Sequence, residues 1–196
     1  MTAMTAMTAM TAMTASTHFI TEQEYLDGEQ HSEVRHEYID GQVFAMTGAS
    51  DLHGLILNAL AFALTPTARR KGCQLFTSDM KLRLEIGGQT IFYYPDLILS
   101  CDPQDRERNF RHAPCLIVEV LSPSTERTDR REKLLAYQSL PSLKSYLLIE
   151  QDKRHVELYR RANGWRVEHY EQGSLPIDCL DMALPLDEIY LDVPAA

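Results

Sequence analysis

A mixed α/β domain, its sheet covered on at least one face, is the fold this chain predicts. Three observations carry that expectation: an apolar stripe at helical spacing over 52–64, a continuous apolar run Cys115–Leu121, and two strand-like runs on either side of Gly87-Gly88. Helical and strand periods therefore succeed one another in the order helix, three strands, helix, further strands, which packed layers of sheet and helix satisfy.

The elements follow in order. Thr21 and Glu24 have capping-box spacing, so a short helix is expected near 21–27. His36–Met46 reads as a hairpin with Asp40-Gly41 as its two-residue turn. Ser50 or Asp51 caps the next helix, whose Leu52, Leu55, Ile56, Ala59, Leu60, Ala63 and Leu64 share one face and which Gly72 stops. Leu75–Leu84 and Ile91–Ser100 are expected to be two strands turned by Gly87-Gly88. Cys115–Leu121 is so continuously apolar that both its faces should be covered, and Pro123 closes it. Thr128 or Asp129 is expected to cap a helix through about Ser139, with Leu134, Leu135 and Tyr137 toward the core. Tyr146–Glu150, His155–Arg160 and Trp165–Tyr170 finish as strands, the last two joined by a loop holding Asn163-Gly164.

The first sixteen residues, MTAMTAMTAMTAMTAS, repeat every three positions without charge, a period matching neither strand nor amphipathic helix. They are read as an extension outside the domain, which is expected to start near Thr17 and run undivided to 196. A chain of 196 residues with 44% apolar composition is ample for one core. Nineteen basic against 28 acidic residues give a net charge of −9, the wrong balance for a broad basic face on duplex nucleic acid. It leaves room for a nuclease, since carboxylates that bind a cation add negative charge at the site itself. Cys73, Cys101, Cys115 and Cys179 lack metal-ligand spacing and are read as ordinary buried or partly buried thiols. No signal-type segment or apolar run of about 18 residues stands out, so the cytoplasm is the default location and no membrane partner is expected.

Glu119 is the most informative residue. A carboxylate in the middle of LIVEVL is desolvated at a cost of several kcal/mol unless something pairs with it. An arginine across the sheet, an open edge, or a metal ion would each serve. Asp96, just after Pro95, interrupts a second apolar run in the same way, and two carboxylates on neighbouring strands repel unless a cation or proton lies between them. A hard divalent ion is the simplest neutraliser, because Mg²⁺ takes one or two protein carboxylates plus water and phosphate oxygens. Lys133 is either the surface i,i+4 partner of Asp129 or an ammonium leaning over that site. Glu37 before the hairpin turn could add a ligand or orient a water, whereas His53, in the first turn of the long helix, reads more readily as a surface or packing residue. The other histidines show no ligand spacing. No GxSxG elbow, phosphate loop or dinucleotide fingerprint occurs in a strand–helix context, which removes the usual support for serine-hydrolase, nucleotide-triphosphate and dinucleotide chemistry.

The succession RHEYIDGQVFAM (35–46), His53, SDMKLRL (78–84), YYPDLILS (93–100), LIVEVLSPST (116–125), TDRREKLLAY (128–137) and SYLLIE (145–150) resembles the Uma family of restriction endonucleases, within the PD-(D/E)XK superfamily. The resemblance spans about Thr17 to Tyr170, and EVLSPST followed by D-x-x-x-K and Y is its most specific string. It implies a restriction-endonuclease-like central mixed sheet with flanking helices. It also implies a site at Asp96 and Glu119, with Glu37 as an additional acidic member, Mg²⁺ as cofactor (Mn²⁺ as substitute), and hydrolysis of phosphodiester bonds in DNA. The superfamily's lysine two residues after the second acid is replaced here by Leu121; the family implies Lys133 from the following helix instead, with Lys81 ranked second. Glu150 stands where many relatives have aspartate and is assigned no chemistry. Cutting both strands would favour a homodimer by symmetry. A binding or assembly module that keeps the fold without the activity is the competing expectation. Arg127, Arg130 and Arg131, with Arg106, Arg108 and Arg111, would then either meet phosphate or simply face solvent.

Overall fold

The computed structural model describes residues 19–46 and 48–194, so the repeat at 1–16 and the expected start near Thr17 lie outside the described residues. Local chemistry sets the first elements. Thr21 and Glu24 cap α1 (Glu22–Glu29) reciprocally, each side chain meeting the other's backbone N–H. Strands β1 (His36–Ile39) and β2 (Gln42–Ala45) pair antiparallel around Asp40-Gly41, whose φ angles of 44° and 93° are those of a primed hairpin turn. A Cβ on Gly41 would also run into the Phe19 ring. Gly41→Ala is therefore expected to cost about 1–2 kcal/mol, read from urea melts.

Helix α2 (Asp51–Arg70) starts at the Ser50 cap and ends before Gly72, whose φ of 70° reverses the chain. Beyond it two sheets form. The first has the order β2-β1-β5-β4-β7, where β4 is Lys81–Ile86, β5 Gln89–Tyr93 and β7 Phe110–Arg111. The second has the order β11-β10-β9-β8-β6-β3: β3 is Gln74–Thr77, β6 Leu97–Ser100, β8 Leu116–Leu121, β9 Ser145–Glu150, β10 Val156–Arg160 and β11 Val167–Tyr170. β8 and β9 run parallel and their neighbours in that sheet antiparallel, giving the mixed central sheet.

Two expected strands are each broken in the middle. Leu75–Leu84 divides at Ser78 (φ 56°), and Ile91–Ser100 divides at Tyr94-Pro95-Asp96. The breaks face each other, with Ser78 N–H donating to the Asp96 carbonyl at 2.9 Å, so the hairpin passes from one sheet to the other as a bent unit. Pro95 lacks a ladder donor and marks the place.

β8 is buried at every position, and its alternation divides two cores. Leu116, Val118 and Val120 pack with Ile56, Leu60 and Leu64 of α2, while Ile117 and Leu121 face Tyr93, Tyr137 and Tyr146. The α2 side is completed by the hairpin β12 (Ser174–Ile177) and β13 (Met182–Pro185) and by α5 (Leu186–Ile189), which packs on α2.

The helix expected from Thr128 or Asp129 begins earlier and is wound differently. It runs as α3 (Glu126–Thr128), a π-helical turn Asp129–Lys133, and α4 (Leu134–Gln138). Asp129 is therefore an interior residue, 1% exposed, and caps nothing. The extra residue in the π turn changes which side chains point inward: Tyr137 is fully buried, but Leu135 is 71% exposed instead of facing the core. The cysteines are corrected too. Cys73 is bonded to Cys101 and Cys115 to Cys179, because folding gathers four positions that no sequence spacing connects.

Candidate functional site

Alternation along β8 puts Glu119 on the same face as Ile117 and Leu121, beneath the π turn and α4. Antiparallel pairing with β6 aligns Leu97 with Val118, and so brings Asp96, at the bend, beside Glu119. The Asp96 backbone N–H lies 3.4 Å from Glu119 Oε2, and Asp96 Oδ2 accepts from the Val120 N–H at 2.6 Å. Both acids line one cavity of about 750 Å³, roofed by the first turn of α2 and by the Ser122–Thr125 loop.

Two cations enter this group. The Lys133 ammonium is 3.1 Å from Glu37, 3.2 Å from Glu119 Oε1 and 3.2 Å from Asp129, and only 5% of the residue is exposed. The Asp129–Lys133 pair is thus a buried pair held inward by the π turn, and the surface i,i+4 alternative is set aside. His53 Nε2 is 3.1 Å from Asp96 Oδ1, a residue the sequence favoured as surface or packing. Tyr137 adds its hydroxyl to Glu119 Oε1 at 2.8 Å. The structure therefore brings Asp96, Glu119, Lys133 and Glu37 together, and adds Asp129, His53 and Tyr137. The signals for the added three were an acid and a lysine four apart, a histidine at a helix start, and a tyrosine read only as core.

Lys81, the alternative lysine, sits elsewhere. It is buried with its ammonium 5.2 Å from the centre of the Tyr94 ring, and burial lowers its pKa. The arginines expected to meet phosphate are partly committed: Arg130 pairs with Glu150 and Glu157, and Arg111 is buried against the Phe76 ring with its guanidinium on the Glu107 and Phe110 carbonyls. A second hollow of about 430 Å³ by Arg83, Glu107 and His112 has no comparable pair of buried acids.

Four carboxylates face one ammonium and one imidazole here. Burial pushes the Glu119 carboxyl well up; Lys133 opposes this, while the charges of Asp129 and Asp96 add to it. Burial works against the Lys133 charge, but Glu119, Glu37 and Asp129 outweigh it and hold the ammonium protonated. For the coupled pair, a protonated Lys133 is the secure direction, because three acids surround it. Burial opposes a charge on His53, yet the Asp96 hydrogen bond and the charges of Asp96 and Asp129 lift its pKa above the ordinary histidine value. In the metal-free protein, NMR titration is expected to place His53 above a free histidine, and Asp96→Asn to bring it below.

The donor set suits a hard divalent cation. Asp96 and Glu119 line one cavity, with the Asp96 backbone N–H 3.4 Å from Glu119 Oε2, and Asp129 joins them through the Lys133 ammonium. Among the described residues no group of three or more His, Cys, Asp or Glu is placed to hold a metal, and Mg²⁺ commonly takes one or two protein carboxylates with water and phosphate oxygens completing its shell.

The fold is thus a mixed sheet with flanking helices. It is shared with a crystal structure from Anabaena variabilis ATCC 29413, described as "a putative nuclease belonging to DUF820", with a TM-score of 0.65 at 19% identity over 82% of this chain and 92% of that one. Residues 22–187 match the model of the Uma2 family, described as "Putative restriction endonuclease", and the chain belongs to that family. The chain is also similar to two proteins of Synechocystis sp. (strain ATCC 27184 / PCC 6803 / Kazusa), both described as uncharacterized. The protein slr1290 is 34% identical over 87% of this chain and 91% of its own length, and sll1609 is 32% identical over 74% and 83%. Among the described residues, no helix is long and apolar enough to cross a membrane.

Proposed function

We propose that this chain is a Mg²⁺-dependent endodeoxyribonuclease that hydrolyses phosphodiester bonds in DNA at the Asp96–Glu119 cleft. The observation that carries the reading is the convergence of these two carboxylates from neighbouring paired strands, beside a cavity and a buried lysine. Asp96 and Glu119 would hold the ion. When bound, the ion supplies Lewis-acid polarisation of a phosphodiester oxygen and a water of lowered pKa.

The chain's own groups do the rest. Val120 N–H and His53 fix the Asp96 carboxylate, and Tyr137 and Lys133 occupy Glu119 Oε1, which leaves Oε2 on the Asp96 side. Glu37 and Asp129 hold the Lys133 ammonium, where it orients the attacking water or meets negative charge that develops on phosphate. Mn²⁺ would serve as a substitute ion, and a second copy of the chain would supply the second cut in a duplex.

The test is cleavage of supercoiled, linear and single-stranded DNA with Mg²⁺ or Mn²⁺, comparing wild type with the double variant Asp96→Ala, Glu119→Ala. Loss of the ligands is expected to lower the rate by about 100-fold or more, since even groups that merely orient metal ligands cost about 10–100-fold. Wild-type cleavage no greater than that of the double variant would sink the enzymatic reading and leave a nuclease-fold binding module.

A further inference from the structure

The four cysteines lie at the opposite end of the elements that carry the acids. Cys73 follows the C-terminus of α2, whose first turn holds His53; Cys101 follows β6, which Asp96 precedes; Cys115 precedes β8, which holds Glu119. Cys179 sits in the turn after β12. Two bridges, Cys73–Cys101 and Cys115–Cys179, bring their sulfurs into one row, with Cys101 Sγ and Cys115 Sγ 3.6 Å apart. That is van der Waals contact between sulfurs of different bridges. They flank the paired strands β6 and β8, with the Cys115 N–H donating to the Leu99 carbonyl at 2.8 Å. A Cys101–Cys115 bond therefore has only this 3.6 Å sulfur–sulfur gap to close.

We infer that the two disulfides form an exchange centre, in which a dithiol reductant converts them into a single Cys101–Cys115 bond with Cys73 and Cys179 free. Cys101 is the entry point, because it is half-buried while Cys73, Cys115 and Cys179 are buried, and exchange follows access. A thiolate of the dithiol attacks Cys101 Sγ, which breaks the bond to Cys73 and releases it as a thiolate. The reagent's second thiol then attacks the sulfur it placed on Cys101, closing the reagent's own disulfide and releasing Cys101 as a thiolate. Cys101 next attacks Cys115 Sγ and expels Cys179. Cys73 and Cys179 take up the two protons that the dithiol gave up. Two electrons pass from the dithiol to the protein, one protein disulfide is lost and the other changes partners.

The exchange has a structural consequence. The existing bridges tie positions 28 and 64 residues apart: α2 to the sheet, and the sheet to the C-terminal hairpin whose following helix, α5, packs on α2. The exchanged bond ties only strands that already pair. The direct tie on α2, the element presenting His53, and the tie on the hairpin preceding α5, which packs on α2, are both released by one equivalent of dithiol. This inference is independent of whether the cleft cuts DNA.

The experiment uses the full oxidised chain. One equivalent of dithiothreitol is added, the reaction is quenched with acid, thiols are alkylated, and peptides are mapped by mass. The main two-electron product is expected to carry label on Cys73 and Cys179 and a Cys101–Cys115 cross-linked peptide. The double variant Cys73→Ser, Cys179→Ser should form the same cross-link on oxidation with diamide, and Cys101→Ser should leave Cys115–Cys179 closed at one equivalent. Label appearing only in the pairs Cys73 with Cys101 or Cys115 with Cys179, with no mixed peptide, would overturn the proposal. So would four free thiols holding one zinc ion in protein purified without reductant.

Discussion

Replacing Lys133 by Met is expected to lower the stability of the metal-free protein by about 3–5 kcal/mol at neutral pH, because it leaves buried carboxylates without their counter-ion. Glu119 and Asp129 are 3% and 1% exposed, and Lys133 is within 3.2 Å of both, so water cannot replace the ammonium cheaply. For a chain of this size the loss is a fall in Tm of about 6–20 °C. The pH dependence has a definite sign. Burial already raises the Glu119 carboxyl, and removing Lys133 removes the largest opposing influence. A carboxyl whose folded pKa lies above its unfolded value binds more protons when folded, so the folded state gains stability as pH falls. The deficit of Lys133→Met should therefore shrink between neutral and mildly acid pH in urea melts. Adding Glu119→Gln to Lys133→Met should recover part of the loss, since the pair shares one interaction. A deficit below about 1 kcal/mol, unchanged by pH, would mean that the ammonium does not sit inside the acid group.

Mg²⁺ is expected to raise stability by about 2.7 kcal/mol when present at about a hundred times its dissociation constant, purely because it binds the folded chain. The corresponding rise in Tm is about 5–11 °C. EDTA should abolish it, and monovalent salt at matched ionic strength should not reproduce it, because screening is not site binding. Asp96→Asn with Glu119→Gln keeps the size of both side chains while removing both charges, so the double variant should show no Mg²⁺-dependent rise. A rise that survives in that variant would place the ion elsewhere. Together with the cleavage assay, this separates an acid pair that binds metal without hydrolysis from one that does neither.

The fold was legible wherever the cause was local. The capping box at Thr21 and Glu24, the Asp40-Gly41 turn and the uniformly buried β8 each follow from residues within a few positions of one another. The candidate site stood out in a different way, because Asp96 and Glu119 break apolar runs and an isolated buried charge demands a partner. What hid was long-range. The alternating pattern of Leu75–Leu84 continues through the bend at Ser78, and nothing in it marks the passage between sheets. The segment 126–138 reads as an ordinary helix, and only its π turn exchanges Leu135 for Lys133 on the inner side. The disulfides link residues whose spacings carry no pattern.

By itself the sequence determined the order of helices and strands, which runs are buried, and that two acids stand in apolar surroundings, since those properties depend on short-range sterics and on hydrophobic periodicity. Tertiary structure alone decided that β6 and β8 pair in the register that sets Asp96 beside Glu119. It also decided that the π turn delivers Lys133 and Asp129 to the same place, and that α2 points His53 at the first acid. Register and crossing are set by the packing of many distant side chains at once, and a one-residue slip along β8 would have turned Glu119 to the other face.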